Sequence, residues 1–129
     1  MKMNPPKDLP VHEAQLTNDI LSAHSHGHTR LMRINAGMAY QGKVIERTPG
    51  RLILAPWYPI RLAVEGVSDL LGWTQFHDVA IFTAIEAKGA HARTTPEQLA
   101  FIDVVRRAGG RAGIARSVED AGAIIRGEV

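Results

Sequence analysis

The sequence contains no cysteine. Disulfides and thiolate-bound zinc are therefore excluded. No run approaches the ~20 consecutive apolar residues that a membrane span needs. The start, "MKMNPPKDLP", has no apolar stretch of the signal-peptide kind, so a cytoplasmic protein is the expectation. Charge of one sign is not in excess either. Fifteen basic residues against 13 acidic ones leave a formal net charge of +2. That balance neither demands nor rules out a nucleic-acid partner. There is no internal repeat and no low-complexity block. What is left is a chain of 129 residues, the size of one globular domain. A domain of this length buries roughly two-thirds of its unfolded surface, enough for a real core.

Residues 1–10, with Pro5, Pro6 and Pro10, read as a flexible N-terminal arm, and residues 11–129 as the single domain. Val11 to His24 suits a helix, with Asp8 as a possible cap and Pro10 near the first turn. "HSHGH" breaks it at Gly27. "TRLMRIN" reads as a strand. "GKVIERTPGRLILAP" reads as a hairpin around Pro49-Gly50, and "WYPIRLAVEG" as irregular. "SDLLGWTQF" and "DVAIFTAIEAK" read as antiparallel neighbours around a turn near His77. Thr95 to Ala108 is a helix in which Thr95, Pro96 and Gln98 occupy N-cap, N1 and N3, the capping-box order. Leu99, Ile102 and Val105 form its apolar stripe, and Gly109-Gly110 ends it. "RAGIA" is a short strand. Ser117 caps a last helix that runs to about Arg126. The order predicts an α/β fold, a central mixed sheet flanked by helices, with a right-handed parallel crossover from the Glu86 strand to "RAGIA".

Within "FTAIEAKG", Glu86 and Lys88 share one face of a strand, because side chains two apart point the same way. Two readings stand at this point. One is a strand end emerging into solvent with an ion pair worth under about 1 kcal/mol. The other adds Asp69, at the start of the preceding strand. Pairing around the turn brings Asp69 and Glu86 to the same end of the sheet. Two adjacent carboxylates repel unless a cation sits between them. Oxygen ligands of this kind select Mg²⁺ or Mn²⁺. Asp69 alone reads equally as a turn-capping aspartate. Asp78 lies at the far end and reads as solvated turn chemistry. Gln98 points along the stripe of Ile102 and Val105 towards the sheet, and is also the capping partner of Thr95. Glu13 shares the direction of Ile20, which makes it an outer metal ligand or an acid favoured by the helix dipole.

Taken together, Asp69, Glu86-Ala87-Lys88 and Gln98 resemble the D…(D/E)xK…Q core of the PD-(D/E)xK nuclease superfamily. "MRINAGMAY", "GVSDLLGW", "AIEAKG…TPEQLAFIDVVRRAGGRAGIA" and "SVEDA" narrow the resemblance to the VRR-NUC domain of phage and bacterial proteins and of the Fanconi-anaemia-associated nuclease. It spans roughly residues 12 to 126. One block departs from the family, which usually has Pro-Asp where this chain has Ser68-Asp69. The resemblance implies a restriction-endonuclease-like fold and Mg²⁺- or Mn²⁺-dependent hydrolysis of DNA phosphodiesters, with Holliday-junction-like or branched DNA as substrate and a homodimer as the assembly. In that reading Asp69, Glu86 and the Ala87 carbonyl hold the ion, with Glu13 as an outer ligand. Lys88 orients or deprotonates the attacking water. Gln98 positions Lys88 or the phosphate.

Phosphate binding calls for cations around the site, and arginine suits phosphate by its fork geometry. Arg93, in the loop after the Glu86 strand, is the first candidate. Arg30 and Arg33 follow, with Arg51, Arg61, Arg106 and Arg107 behind them, though each taken singly also reads as a solvated surface residue. Asn35 and Gly37 match the family's "RN.G"-like block and are expected near the site. Tyr40 and Trp57 read first as core residues, and second as platforms on which a base could stack. The histidines of "HSHGH" read as an exposed, frayed helix end rather than a metal site. Two other functions remain open: a non-catalytic DNA-binding module that keeps the fold, and a nuclease subunit acting only with a replication or repair partner. The presence of Asp69, Glu86 and Lys88 together speaks against the first.

Overall fold

A computed structural model describes residues 11–129 of the chain. The proposed N-terminal arm, Asp8 and Pro10 lie outside those residues. Nine elements follow in order: α1 (Val11–His24), β1 (Thr29–Arg33), β2 (Met38–Thr48), β3 (Arg51–Arg61), β4 (Leu70–Phe76), β5 (Val79–Ala87), α2 (Pro96–Arg107), β6 (Arg111–Ala115) and α3 (Val118–Ile125). Four strands form one sheet in the order β1-β4-β5-β6. β4 pairs antiparallel with both β1 and β5, and β5 pairs with β6 in parallel. The sheet is therefore mixed and helix-flanked, as the sequence implies.

Strand alternation sorts the core into two layers. On one face Leu31, Leu70, Ile85, Ala87 and Ala115 pack against Ile20 of α1 and against Ala121, Ile124 and Ile125 of α3. On the other, Ala84 and Ala112 pack against Ile102 and Val105 of α2. Leu99 departs from the expected stripe and is 49% exposed. The spacing explains it. The buried row runs through Gln98, Ile102 and Val105 at i, i+4 and i+7, and Leu99 stands about 100° round the helix from Gln98.

The β2–β3 hairpin departs further. It does not join the main sheet but forms its own antiparallel two-stranded ribbon. "WYPIR" is not irregular: it continues β3, with Tyr58 opposite Gln41 and Ile60 opposite Ala39. The prolines misled because they cannot donate to a ladder. In a two-stranded ribbon each strand has a free edge, so proline is tolerated there. Pro56 also falls at the register shift between Gly42 and Val44. Gly42 allows that irregularity, since a Cβ there would lie 2.4 Å from the Pro56 carbonyl oxygen.

The histidine segment is more ordered than a frayed end. His24 is half-buried, and its Nε2 hydrogen-bonds the Val118 carbonyl oxygen at 2.8 Å, tying the end of α1 to the start of α3.

Candidate active site

The register that pairs Leu70 with Ile85 sets Asp69, one residue earlier, beside Glu86 at the end of β5. Both project onto the α2 face of the sheet, opposite the Leu70–Ile85 layer. The loop before β4 is drawn against α2 at Gly66, whose φ is +84° and where a Cβ would lie 2.3 Å from the Glu97 carbonyl oxygen. No other residue type fits there without displacing the helix start.

Asp69 Oδ2 accepts the Ala87 N–H at 2.9 Å, which locks the acid to the strand. On α2, Gln98 Nε2 donates to Glu86 Oε1 at 2.8 Å. Lys88 Nζ stands 3.6 Å from that same oxygen. Gln98 also completes the capping box: its Oε1 accepts the Thr95 N–H and its own N–H donates to the Thr95 hydroxyl. The two roles read for Gln98 in the sequence thus coexist. Glu86 is 3% exposed and Lys88 9%. The solvent-emerging ion pair is therefore corrected: the strand end is buried, with Gln98 of α2 bonded to Glu86.

The electrostatics are unfavourable to two bare carboxylates. Burial, then the Asp69 charge, pushes the Glu86 carboxyl from 4.5 up to about 7, with Lys88 opposing. Asp69 is also raised, by burial first and with a contribution from Glu13, against the Ala87 N–H and Lys88. Glu86 Oε2 is buried with no hydrogen-bond partner. A buried carboxylate oxygen left empty beside a second acid is costly. A hard cation would relieve both problems, so the donor set fits a divalent ion bound by Asp69, Glu86 and the Ala87 carbonyl. Among the described residues no three His, Asp or Glu side chains converge in one ligand cluster. Glu13 stands apart from the pair, its Oε1 accepting the Gly89 N–H at 3.1 Å.

The remaining candidates sit at different places. Arg93 is exposed in the loop between β5 and α2. Arg33 is exposed at the end of β1, opposite Leu70 and on the sheet face away from Glu86. The next residue, Ile34, donates its N–H to the Asp69 carbonyl at 2.8 Å, which brings Asn35 to the edge of the site. Arg30 shares the site's sheet face but its guanidinium turns back to the carbonyls of Gly27 and Thr29. Tyr40 and Trp57 are not core residues. They are exposed and meet edge to face, with ring centroids 5.7 Å apart.

Arg116 was not singled out in the sequence. Its guanidinium holds the carbonyls of Gly89 and Ala92, the latter at 2.9 Å, and so fixes the loop that follows Lys88. Together with His12, Glu13, Lys88 and His91 it lines a hollow of about 490 Å³ beside the strand end. Its signal was invisible because the contact spans 24 to 27 residues of sequence. Ser68, next to Asp69, is 1% exposed and its hydroxyl has no partner.

Among the described residues no helix is long and apolar enough to cross a membrane. Comparison with curated proteins and with solved structures found no match. Residues 13–119 match the VRR-NUC domain, most of the chain, and the match takes in every acid, the lysine and the glutamine of the site just described. The chain therefore belongs to the VRR-NUC domain family, and with it to the nucleases that process DNA.

Proposed function

We propose that this protein is a metal-dependent DNA endonuclease that hydrolyses phosphodiester bonds in branched or junction-like DNA. The observation that carries the reading is the division of labour on Glu86. Its Oε1 is held by Gln98 and Lys88, while its Oε2 is buried and unclaimed beside Asp69.

Asp69, Glu86 and the Ala87 carbonyl would hold Mg²⁺ or Mn²⁺. When bound, such an ion polarises the scissile phosphate and lowers the pKa of a coordinated water. Lys88 lies on the same strand face as Glu86 and carries the charge that a phosphorane-like transition state needs. From there its ammonium orients the attacking water, and only the neutral amine form would take up that water's proton. Gln98 keeps Glu86 from rotating and so fixes where Oε2 points. Glu13 supports the site from α1 through Gly89, as an outer acid for a second ion or an ordered water. Arg93 and Asn35 are the proposed phosphate contacts at this end of the sheet, and Arg33, on the opposite sheet face, would meet only DNA that wraps round the β1 edge. Arg30 reaches a phosphate only by giving up its bonds to Gly27 and Thr29. Two copies of the chain would supply the two cuts that a four-way junction requires.

Cleavage of labelled linear, flap, splayed and four-way DNAs with Mg²⁺ or Mn²⁺ tests the reading. The branched substrates should be cut by the parent, and Lys88→Ala should slow cutting by roughly 10²–10⁴-fold with binding retained. Protein that binds junctions yet cuts none of them in either metal would instead mark a subunit that needs a partner.

A further inference from the structure

The β2–β3 ribbon grows from the end of the main sheet that carries Asp69 and Glu86. β1 ends there, where Ile34 donates its N–H to the Asp69 carbonyl, and the Leu62 N–H closes the root of the ribbon on the Gly37 carbonyl at 3.0 Å. Each strand has 11 residues, so the ribbon reaches roughly 35 Å from that root. Among the described residues its strands pack chiefly against each other. Two strands alone are marginal in water, and both faces of this ribbon are apolar. Directly opposed residues share a face, and so do residues two apart. Gly42 lies opposite Trp57 and Tyr40 opposite Pro59, which puts Tyr40 and Trp57 on one face. With Leu52 and Leu54 they line a hollow of about 550 Å³. Gln41 lies opposite Tyr58 and Ala39 opposite Ile60, so Tyr58 and Ile60 occupy the other face. Tyr40, Trp57 and Tyr58 are 60%, 56% and 62% exposed. Between residues 38 and 61, the four cations Lys43, Arg47, Arg51 and Arg61 face one acid, Glu46. That surplus of three exceeds the +2 of the whole chain, so the ribbon favours an anionic partner.

We propose that the ribbon is a wedge that enters the branch point of DNA, with one face against each of two helix ends exposed there. The inference rests on the endonuclease reading for DNA as the substrate, and adds how a branch is told from continuous duplex. At a branch the stacking of base pairs is already broken. Each exposed base-pair face is an apolar plane rimmed by phosphates. Aromatic side chains stack on bases with little regard to sequence, and apolar side chains can part base steps. Within a continuous duplex the same entry must first unstack a step, a cost in free energy that a branch does not demand. Both faces of the ribbon are used, because a branch offers two surfaces. A protein body docked on one face would leave the aromatic residues of the other in water. The cations fit the same occupant. Arg47 and Arg51 flank the Pro49-Gly50 tip and Arg61 stands at the root, spaced along the ribbon to meet the phosphates of strands that pass it.

Binding of the whole chain to a four-way junction and to linear duplex of the same sequence, in a chelator so that nothing is cut, tests this. The parent should prefer the junction. Trp57→Ala and Tyr58→Ala, on opposite faces, should each weaken junction binding by roughly five- to a hundredfold and leave linear duplex within about twofold. Val104→Ala, an exposed change on α2, should leave both affinities unchanged. A second measurement needs no change in the ribbon. Trp73→Phe leaves Trp57 as the sole tryptophan, and its emission should be quenched by the junction and not by the linear duplex. A parent without junction preference would overturn the proposal, as would a Trp57 emission that the junction leaves unaltered. Loss from Trp57→Ala alone would mean that one face is engaged, and equal loss on both DNAs would make the ribbon a general DNA contact; either result defeats the wedge. Both variants should sediment as the parent does, and a shift to a smaller species would assign the ribbon to contact between copies instead. A parent that prefers junctions yet never cuts them in Mg²⁺ or Mn²⁺ would leave the wedge standing and remove the endonuclease reading.

Discussion

Gln98 Nε2 lies 2.8 Å from Glu86 Oε1, while the other end of the same Gln98 amide accepts the N–H of Thr95. One side chain therefore caps α2 and steadies the buried acid. Helix start and site geometry are tied together, and each can be perturbed through the other.

Replacing Gln98 separates the two tasks. Gln98→Ala should lose about 1 kcal/mol of stability, as for a missing cap interaction, and slow cleavage tenfold or more. Gln98→Glu keeps an acceptor for the Thr95 N–H but sets a third carboxylate against Glu86 in place of a donor. It should recover most of the thermal stability at low pH and none of the activity. Denaturation curves and cleavage rates measured on both variants check this. Equal stability loss in the two would count against the capping half.

Glu86 gives the ion-free protein a pH dependence of definite sign. Its carboxyl titrates at about 7 in the fold against 4.5 ordinarily. Between those values the native chain keeps a proton that the unfolded chain has released. Stability from this group therefore falls as pH rises through that window, and the penalty is complete above about 7. At about 1.4 kcal/mol per unit the penalty is on the order of 3 kcal/mol. Urea denaturation in a chelator should show this fall, Glu86→Gln should flatten it, and added Mg²⁺ should offset it more at pH 8 than at pH 5.

Ser68 carries a buried hydroxyl with no partner, next to Asp69. Ser68→Ala removes a polar group that folding strips of water without return. It should leave stability unchanged or raise it by up to about 1 kcal/mol, with cleavage within a few-fold of the parent. A loss of 2 kcal/mol or more in thermal denaturation would mean that the hydroxyl is bonded in solution.

Arg116 acts at one remove, through the carbonyls of Gly89 and Ala92. Arg116→Ala should loosen the 89–92 loop, seen as faster amide exchange there. Cleavage should fall by less than in Lys88→Ala. Unchanged exchange in the loop would contradict the role.

Much of this was legible in the residues because it is local. Thr95, Pro96 and Gln98 mark a helix start by their spacing alone. The near-symmetric placement of Asp69 and Glu86 about the His77 turn gives their pairing without any long-range information. What stayed hidden depends on distance. The ribbon's continuation through Pro56 and Pro59 depends on which strands have free edges. The exposure of Tyr40 and Trp57 depends on the ribbon standing off the sheet. The Arg116 clamp and the His24 tie to Val118 join segments far apart in sequence, where no periodicity reports them.

The central claim is that Asp69 and Glu86 together hold a hard dication, and titration calorimetry with Mn²⁺ and Mg²⁺ tests it most directly. Uptake should be seen in the parent and in Lys88→Ala, and should be lost in Asp69→Ala and in Glu86→Ala. A parent that takes up neither ion, or acid-deleted variants that bind as the parent does, would contradict the account.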